Sequence, residues 1–354
     1  MTERGTGVLD IAVIGAGPCG LAVGIAAHRR ELSCTIFEQG CVVSSIAQYP
    51  TYITFFSTAE RIAIGGMPFE VATEKPTRRD AMAYYRGVVT EVGLDVRQYE
   101  KVERVERVER VEQLERAGRA DRAMSGFIIH SRSAAGAHAT GARAVVLATG
   151  YFGTPNRLGV PGEELSHVTH YYREGHEAFQ RDALVVGGGN SAVETALDLV
   201  RCGARVTVVH VGPTFDRNIK PWVRPDFENR VSEGLIALRW NVRVTAIEPG
   251  VAHLAGEHEG LAVAADHVYL MTGFTPSSEL VGPLGVHVDA TTGVPAHDPA
   301  TMETNIPGVY VAGVLVSGND ANRIFIENGR DHGELIAAAL AGPAVDRGAA
   351  RPPG

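Results

Sequence analysis

Between Val8 and Glu38 the chain runs through an apolar segment, the hexapeptide Gly15-Ala16-Gly17-Pro18-Cys19-Gly20, more apolar sequence, and then an acid. Val8 to Ile14 has the length and β-branched content of a strand buried on both faces, and it stops at glycine. Leu21 to Arg29 reads as a helix and Ser33 to Phe37 as a second strand ending at Glu38. A G-x-G-x-x-G turn in this setting, with an acid about 20 residues on, leaves little choice: it is a βαβ unit built for a dinucleotide. The helix N-terminus offers backbone N–H groups to a pyrophosphate, and the glycines let it come close. Gly15, Ala16, Gly17, Pro18 and Gly20 are the expected contacts, with Glu38 accepting hydrogen bonds from the adenosine ribose.

The pattern returns later in the chain. Ala183 to Val186 reads as a strand, Gly187-Gly188-Gly189-Asn190-Ser191-Ala192 as the turn, Val193 to Arg201 as a helix, and Val206 to His210 as the next strand. Here the acid is missing and His210 takes its place. A carboxylate at that point would repel a 2′-phosphate, so its absence admits NADPH. Arg217 and Lys220 are candidate cationic partners, and the competing reading makes His210, Arg217 and Lys220 solvated loop residues. Gly187, Gly189, Asn190, Ser191 and Ala192 complete the second set of expected cofactor contacts.

Two such units imply an α/β protein with two Rossmann-like domains. A chain that holds both FAD and a nicotinamide cofactor can pass hydride from the nicotinamide to the flavin and onward. The expected division is a discontinuous FAD-binding domain, 1–157 plus 274–354, with an NAD(P)H-binding domain, 158–273, inserted into it. The Pro/Gly-rich stretch Tyr151 to Gly162 and the return at Thr272 to Pro276 are the expected hinges. Gly308 to Ala312 reads as a last strand and Ile324 to Ala341 as a last helix.

Composition narrows the function classes. With 41 Asp+Glu against 33 Lys+Arg and a net charge of -8, the surface is not that of a nucleic-acid-binding protein. The uncharged run Ile11 to Ala27 is too short and too glycine-rich for a membrane span, so a cytoplasmic location is expected. Cys19, Cys34, Cys41 and Cys202 form neither a zinc pattern nor a Cys-x-x-Cys pair and fit a reducing compartment; no metal site is expected. From Lys101 to Arg116 a Val-Glu-Arg repeat matches neither strand nor helix periodicity and reads as a charged extension of a surface hairpin.

Ala148-Thr149-Gly150 and the segment Thr304 to Gly313 resemble the two-dinucleotide-fold flavoprotein reductases, the class that includes low-molecular-weight thioredoxin reductases. Two departures narrow this. The dithiol of thioredoxin reductases is absent, and Val314 stands where an acid usually follows Ala-Gly, leaving Asn319, Asp320 or Asn322 for the flavin ribityl chain. Gly17-Pro18-Cys19-Gly20, Tyr49-Pro50-Thr51, Thr54 to Ser57, Lys220-Pro221-Trp222, Gly318-Asn319 and Ile324 to Arg330 resemble the bacillithiol-disulfide reductase family more closely. That resemblance implies FAD, NADPH, and a small-molecule disulfide, bacillithiol disulfide, as substrate, with Cys19 as the catalytic thiol. It also puts Gln48, Thr54, Gly313 and the start of the last helix at Ile324 among the flavin contacts. Homologues of this architecture are usually oligomers, so a homo-oligomer is expected.

Taken as residues alone, Cys19 has two readings. A thiol at a helix N-terminus has a lowered pKa and makes a better nucleophile, whereas a thiol beside a bound pyrophosphate is a small packing residue. His167 and His170 are either proton donors or satisfied surface histidines, and Trp222 either an interface anchor or a packing residue. Two other functions fit the same fold: an NADPH-ferredoxin-type reductase without disulfide chemistry, and a non-catalytic flavin-bound redox sensor.

Overall fold

The structure is a computed structural model that describes residues 7–108, 126–216, 219–256, 260–277, 279–320 and 323–341. The chain divides into two compact units. Unit one comprises Met1–Ala47, Thr54–Gly153 and Pro276–Gly354; unit two comprises Gln48–Ile53 and Thr154–Thr275.

In unit one, β1 (Leu9–Ile14) leads through the first glycine turn into α1 (Pro18–His28) and β2 (Cys34–Glu38). The helix begins three residues ahead of the sequence expectation because Pro18 occupies its first turn, where a missing N–H costs nothing. Short helices α2 (Ser44–Ala47) and α3 (Ala59–Ile62) precede α4 (Arg78–Val92). Thr77 and Asp80 cap α4 reciprocally, and Gly93 closes it at φ 74°. Then come β3 (Asp95–Gln98), β4 (Lys101–Val108), β5 (Gly126–Ser133) and β6 (Gly136–Leu147).

The sheet order is β3-β2-β1-β6-β5-β4. Strand β6 serves two partners on one edge: Gly136 to Ala142 pairs antiparallel with β5, and Val145 to Leu147 pairs parallel with the last strand of the chain, Val309–Val311. Its other edge lies along β1 in parallel. Ile11, Ala12, Val13, Val145, Val146 and Leu147 are fully excluded from water. Each large aliphatic chain buried this way contributes about 1.5–3 kcal/mol.

The Val-Glu-Arg repeat is half explained. Val102 and Val105, three residues apart, are both buried, which a regular strand forbids. A shift of register between Val102 and Arg104 absorbs the extra residue as a β-bulge and returns Val105 to the core face. Glu103 and Glu106 pair outside with Arg132 and with Arg104 and His130. The rest of the repeat, Glu109 to Arg116, lies outside the described residues.

Unit two opens with β7 (Val168–Thr169) and β8 (Asp182–Val186), passes the second glycine turn into α5 (Asn190–Arg201), and continues with β9 (Arg205–Val209), α6 (Arg224–Ser232) and β10 (Ile236–Arg239). An antiparallel meander follows, β11 (Arg243–Glu248), β12 (Gly250–Ala255) and β13 (Leu261–Ala265), and then β14 (His267–Leu270). The parallel sheet has the order β10-β9-β8-β14-β7. Helices α5 and α6 cover one face and the meander the other, each over its own apolar cluster.

The boundaries differ from 157/158 and 273/274 for a definite reason. Asn156 N–H donates to the Gly273 carbonyl (3.0 Å), Thr275 N–H to the Thr154 carbonyl (3.0 Å), and the Asn156 amide to the Thr272 carbonyl (3.1 Å). The two expected hinge segments are thus bonded to each other inside unit two, and the division falls at 153/154 and 275/276. Gln48–Ile53 joins this unit through Thr51, whose N–H donates to the Arg173 carbonyl (2.9 Å) and whose hydroxyl reaches Glu174 (3.2 Å).

Unit one is completed by β15 (Val309–Val311), α7 (Ile326–Gly329) and α8 (His332–Ala341). The expected helix from Ile324 to Ala341 is therefore two helices, broken at Arg330 and Asp331. Arg330 bonds the carbonyls of Glu60 and Ala63 across the break (2.7 and 2.6 Å). Beyond it α8 packs on α1 so closely that a Cβ on Gly333 would lie 2.6 Å from the carbonyl of Ala22. Among the described residues no helix is long and apolar enough to cross a membrane.

Gly333→Ala and Gly87→Ala make the same chemical change within helices and should act with opposite signs. A Cβ at Gly333 must force α1 and α8 apart, costing about 1–3 kcal/mol. A Cβ at Gly87 on α4 meets nothing within 4 Å and should stabilise by about 0.5–1 kcal/mol. Urea denaturation of the two variants checks both.

Candidate functional site

Both glycine turns lie at the carboxyl ends of parallel strands, where open α/β sheets bind ligands. In the first, Gly15 holds φ 111°, and a Cβ there would stand 2.4 Å from the Ala148 carbonyl. A Cβ on Gly20 would stand 2.0 Å from the Gly15 carbonyl. Gly17 differs: its φ of -71° and ψ of 172° suit any residue, and its Cβ would meet no atom within 4 Å. Neither conformation nor packing asks for glycine at 17. A ligand that needs bare backbone at the start of α1 would ask for it, and a diphosphate is a ligand of that kind.

Glu38 is buried at the end of β2. One carboxylate oxygen accepts the Ala16 N–H (2.9 Å); the other accepts the Gly40 N–H (2.8 Å) and the Ser44 hydroxyl (3.0 Å). The acid therefore braces the turn and keeps one acceptor position on Oε2, which a ribose hydroxyl could use. Ala148, Thr149 and Gly150 follow β6 at the same end, tied by the Ala148 N–H to the Ile14 carbonyl (2.9 Å). Thr54 bridges to Thr77 in unit one, whereas Gln48 falls in unit two. Asn322 and Arg217 lie outside the described residues.

Cys19 occupies a slot between two backbones. Cβ atoms on Gly313 and Gly329 would stand 3.1 and 2.9 Å from its sulfur, and the Gly329 Cβ would also touch Ile324. Of the two readings of this thiol, the surroundings favour the protonated one: burial, with the Asp331 carboxylate adding to it, pushes it up to about 12. Cys34 is likewise raised to about 12, by burial and then by Asp95 and Asp10, and Cys202 is raised by burial and Asp198.

One residue that supports this slot was not singled out in the sequence. His332, at the start of α8, is buried and accepts the Gly313 N–H at Nδ1 (3.1 Å). Burial lowers its pKa, with His297 acting the same way, so the imidazole is neutral with its proton on Nε2. Its position two residues after the Ile324 to Arg330 motif was the available signal.

In unit two, Gly187 repeats the role of Gly15: φ is 144°, and a Cβ would stand 2.3 Å from the Met271 carbonyl. Gly188 is needed for another reason. The His210 ring lies over it, 2.5 Å from where a Cβ would be, and meets the Trp240 ring edge-on at 5.9 Å. His210 is thereby folded onto the turn. Ala192 is buried where the first turn has Gly20. Asn190 accepts the Lys220 N–H at its side-chain oxygen (2.8 Å), and Ser191 follows it on α5. Lys220 is not a free cation, because its ammonium is 2.7 Å from the Glu194 carboxylate. Trp222 stands exposed, and His170 is packed beside Glu163 at 3.1 Å.

The family model described as pyridine nucleotide-disulphide oxidoreductase matches residues 12–313. Bacilliredoxin reductase Bdr of Bacillus subtilis (strain 168) is 40% identical over 330 residues, 93% of this chain and 96% of that protein. The solved structure of bacillithiol disulfide reductase Bdr (YpdA) from Bacillus cereus is 39% identical with a TM-score of 0.87, covering 95% of this chain and 99% of that one. Its counterpart from Staphylococcus aureus is 36% identical with a TM-score of 0.83, covering 94% and 98%.

Two outcomes follow from the site geometry. Gly17→Val should fold and lose flavin, whereas Gly15→Val should lose the fold; circular dichroism and the bound-flavin absorbance separate them. His332, neutral when folded, adds stability that is complete above the ordinary histidine pKa of about 6.5 and is lost as pH falls toward its lower folded value. His332→Gln keeps an acceptor for Gly313, so its melting temperature should fall less between about pH 7.5 and 5.5 than that of the wild type.

Proposed function

The chain belongs to the pyridine nucleotide-disulphide oxidoreductase family, and on that premise we propose that it is an FAD-dependent reductase that uses NADPH to reduce bacillithiol disulfide. The observation that carries the reading is the pair of glycine turns at strand ends, the first bare at Gly17 where a diphosphate would lie, in a chain with no Cys-x-x-Cys dithiol. The likeness to Bdr along nearly the whole chain supplies the substrate. FAD, when bound, accepts hydride from the nicotinamide and passes electrons one or two at a time.

In this reading the residues from Gly15 to Gly20 hold the FAD diphosphate, Glu38 its ribose, and the Gly313 turn with Ile324 its flavin end. Unit two holds NADPH on the turn from Gly187 to Ala192. Each turnover takes two electrons and a proton from NADPH and one proton from solvent, and converts one disulfide into two thiols. Cys19 is the proposed thiol. It rests protonated, so attack on a disulfide requires that its proton be taken as the substrate arrives. The protein acts in the cytoplasm as a homo-oligomer, away from nucleic acid and membrane.

Purified protein should be yellow and should oxidise NADPH when given bacillithiol disulfide. Cys19→Ser should keep its flavin and lose this turnover; undiminished turnover removes Cys19 from the mechanism while leaving the enzyme class intact. At about pH 8.5 an unfolded cysteine is half thiolate. Native Cys19 should therefore react with iodoacetamide far more slowly than the same residue in urea, as mass spectrometry of the labelled peptide would show.

A second reading is favoured by one observation, the protonated Cys19. Electrons would pass to a protein acceptor such as ferredoxin without any thiol. Rapid reduction of an iron–sulfur protein, with no disulfide activity, would select it.

A further inference from the structure

The two glycine turns share a backbone and differ in what faces them. At Gly17 the Cβ position is open, whereas at Gly189 it is 3.3 Å from Oδ2 of Asp216. Gly189 is the N-cap of α5 and has no side chain with which to cap it. Its backbone is the point where a diphosphate comes closest in a turn of this kind. A carboxylate of the protein's own thus stands at the place where the coenzyme's anion belongs.

The backbone of the residue is anchored there. Asp216 N–H donates to the Gly188 carbonyl (3.1 Å). Phe215, just before it, packs edge-on against Phe227 (5.2 Å) and Trp240 (4.8 Å). Lys220, four residues on, is tied to Asn190 and Glu194 on the first turns of α5 (2.8 and 2.7 Å). The side chain itself is 61% exposed, with Oδ1 3.9 Å from Nε2 of His210. The carboxylate can therefore swing aside, but its backbone keeps it close to whatever replaces it.

We propose that Asp216 is a built-in anionic occupant of the coenzyme's diphosphate position in unit two, and that it sets coenzyme affinity. This rests on the reading of that turn as the NADPH site. In the free protein a negative charge at the start of α5 is favourable, because the helix dipole attracts it. Coenzyme binding gives up that attraction and then holds a diphosphate beside a tethered carboxylate. Both effects weaken binding, and both act on the part common to NAD and NADP.

The test is calorimetric titration of flavin-loaded protein with NADP⁺ and with NAD⁺, no disulfide present, for wild type, Asp216→Asn and Asp216→Ala. Both variants should bind both coenzymes more tightly, by about three- to tenfold. Without coenzyme both should melt about 1–3 °C lower, because α5 loses its internal anion. Wild type that binds while the variants bind equally or more weakly overturns the role of Asp216. Tighter binding of NADP⁺ alone overturns its placement at the diphosphate. Wild type that binds neither coenzyme removes the reading of the turn itself, and the proposal with it.

Discussion

A Cβ on Gly15 would begin 2.4 Å from the Ala148 carbonyl, and the upper end of unit one depends on that approach. Because the turn can lie against the end of β6, α1 starts directly above β1, and β1, β6 and the α1 N-terminus meet at one point. Glu38 then reaches Ala16 from β2, and the chain after β15 closes the far side with Gly313. Unit two reproduces the contact between Gly187 and the Met271 carbonyl at 2.3 Å. Bulk burial of aliphatic side chains stabilises both sheets, but it does not choose where a helix begins. A backbone contact that only glycine permits does.

At Cys19 two effects oppose each other and their sizes decide the outcome. The field of a helix N-terminus is worth about 0.3–1 kcal/mol near a surface, less than one pKa unit at 1.36 kcal/mol. Enclosure between Gly313 and Gly329, with Asp331 nearby, works the other way and carries the thiol up to about 12. Position on a helix is a weak guide to thiol chemistry when the sulfur is walled in. The neutral His332, bonded to the Gly313 N–H, keeps one wall of the slot in place without bringing a positive charge to it.

Local signals made most of the fold legible. Glycine turns, β-branched strands and the uniformly apolar α1 each announce themselves within a dozen residues, and both Rossmann units follow from them. What stayed hidden depends on contacts distant in sequence. The break before α8 follows from Arg330 bonding the carbonyls near α3. The bulge near Glu103 makes a period of three compatible with a buried strand, which periodicity arguments exclude by construction. Lys220 looks like a phosphate ligand in sequence and is matched by Glu194, 26 residues away. Asp216 reaches Gly189 from beyond the stretch that a motif would inspect.

The segment Gln48–Ile53 gives the chain four passages between the units where an ordinary insertion has two. Unit two is consequently not a contiguous stretch of sequence. A gene fragment encoding 154–275 would omit the residues that satisfy the Arg173 carbonyl and meet Glu174. Recombination between relatives at the two obvious borders would carry over a mismatched six-residue piece. In this chain the second unit is inherited with a fragment from within the first.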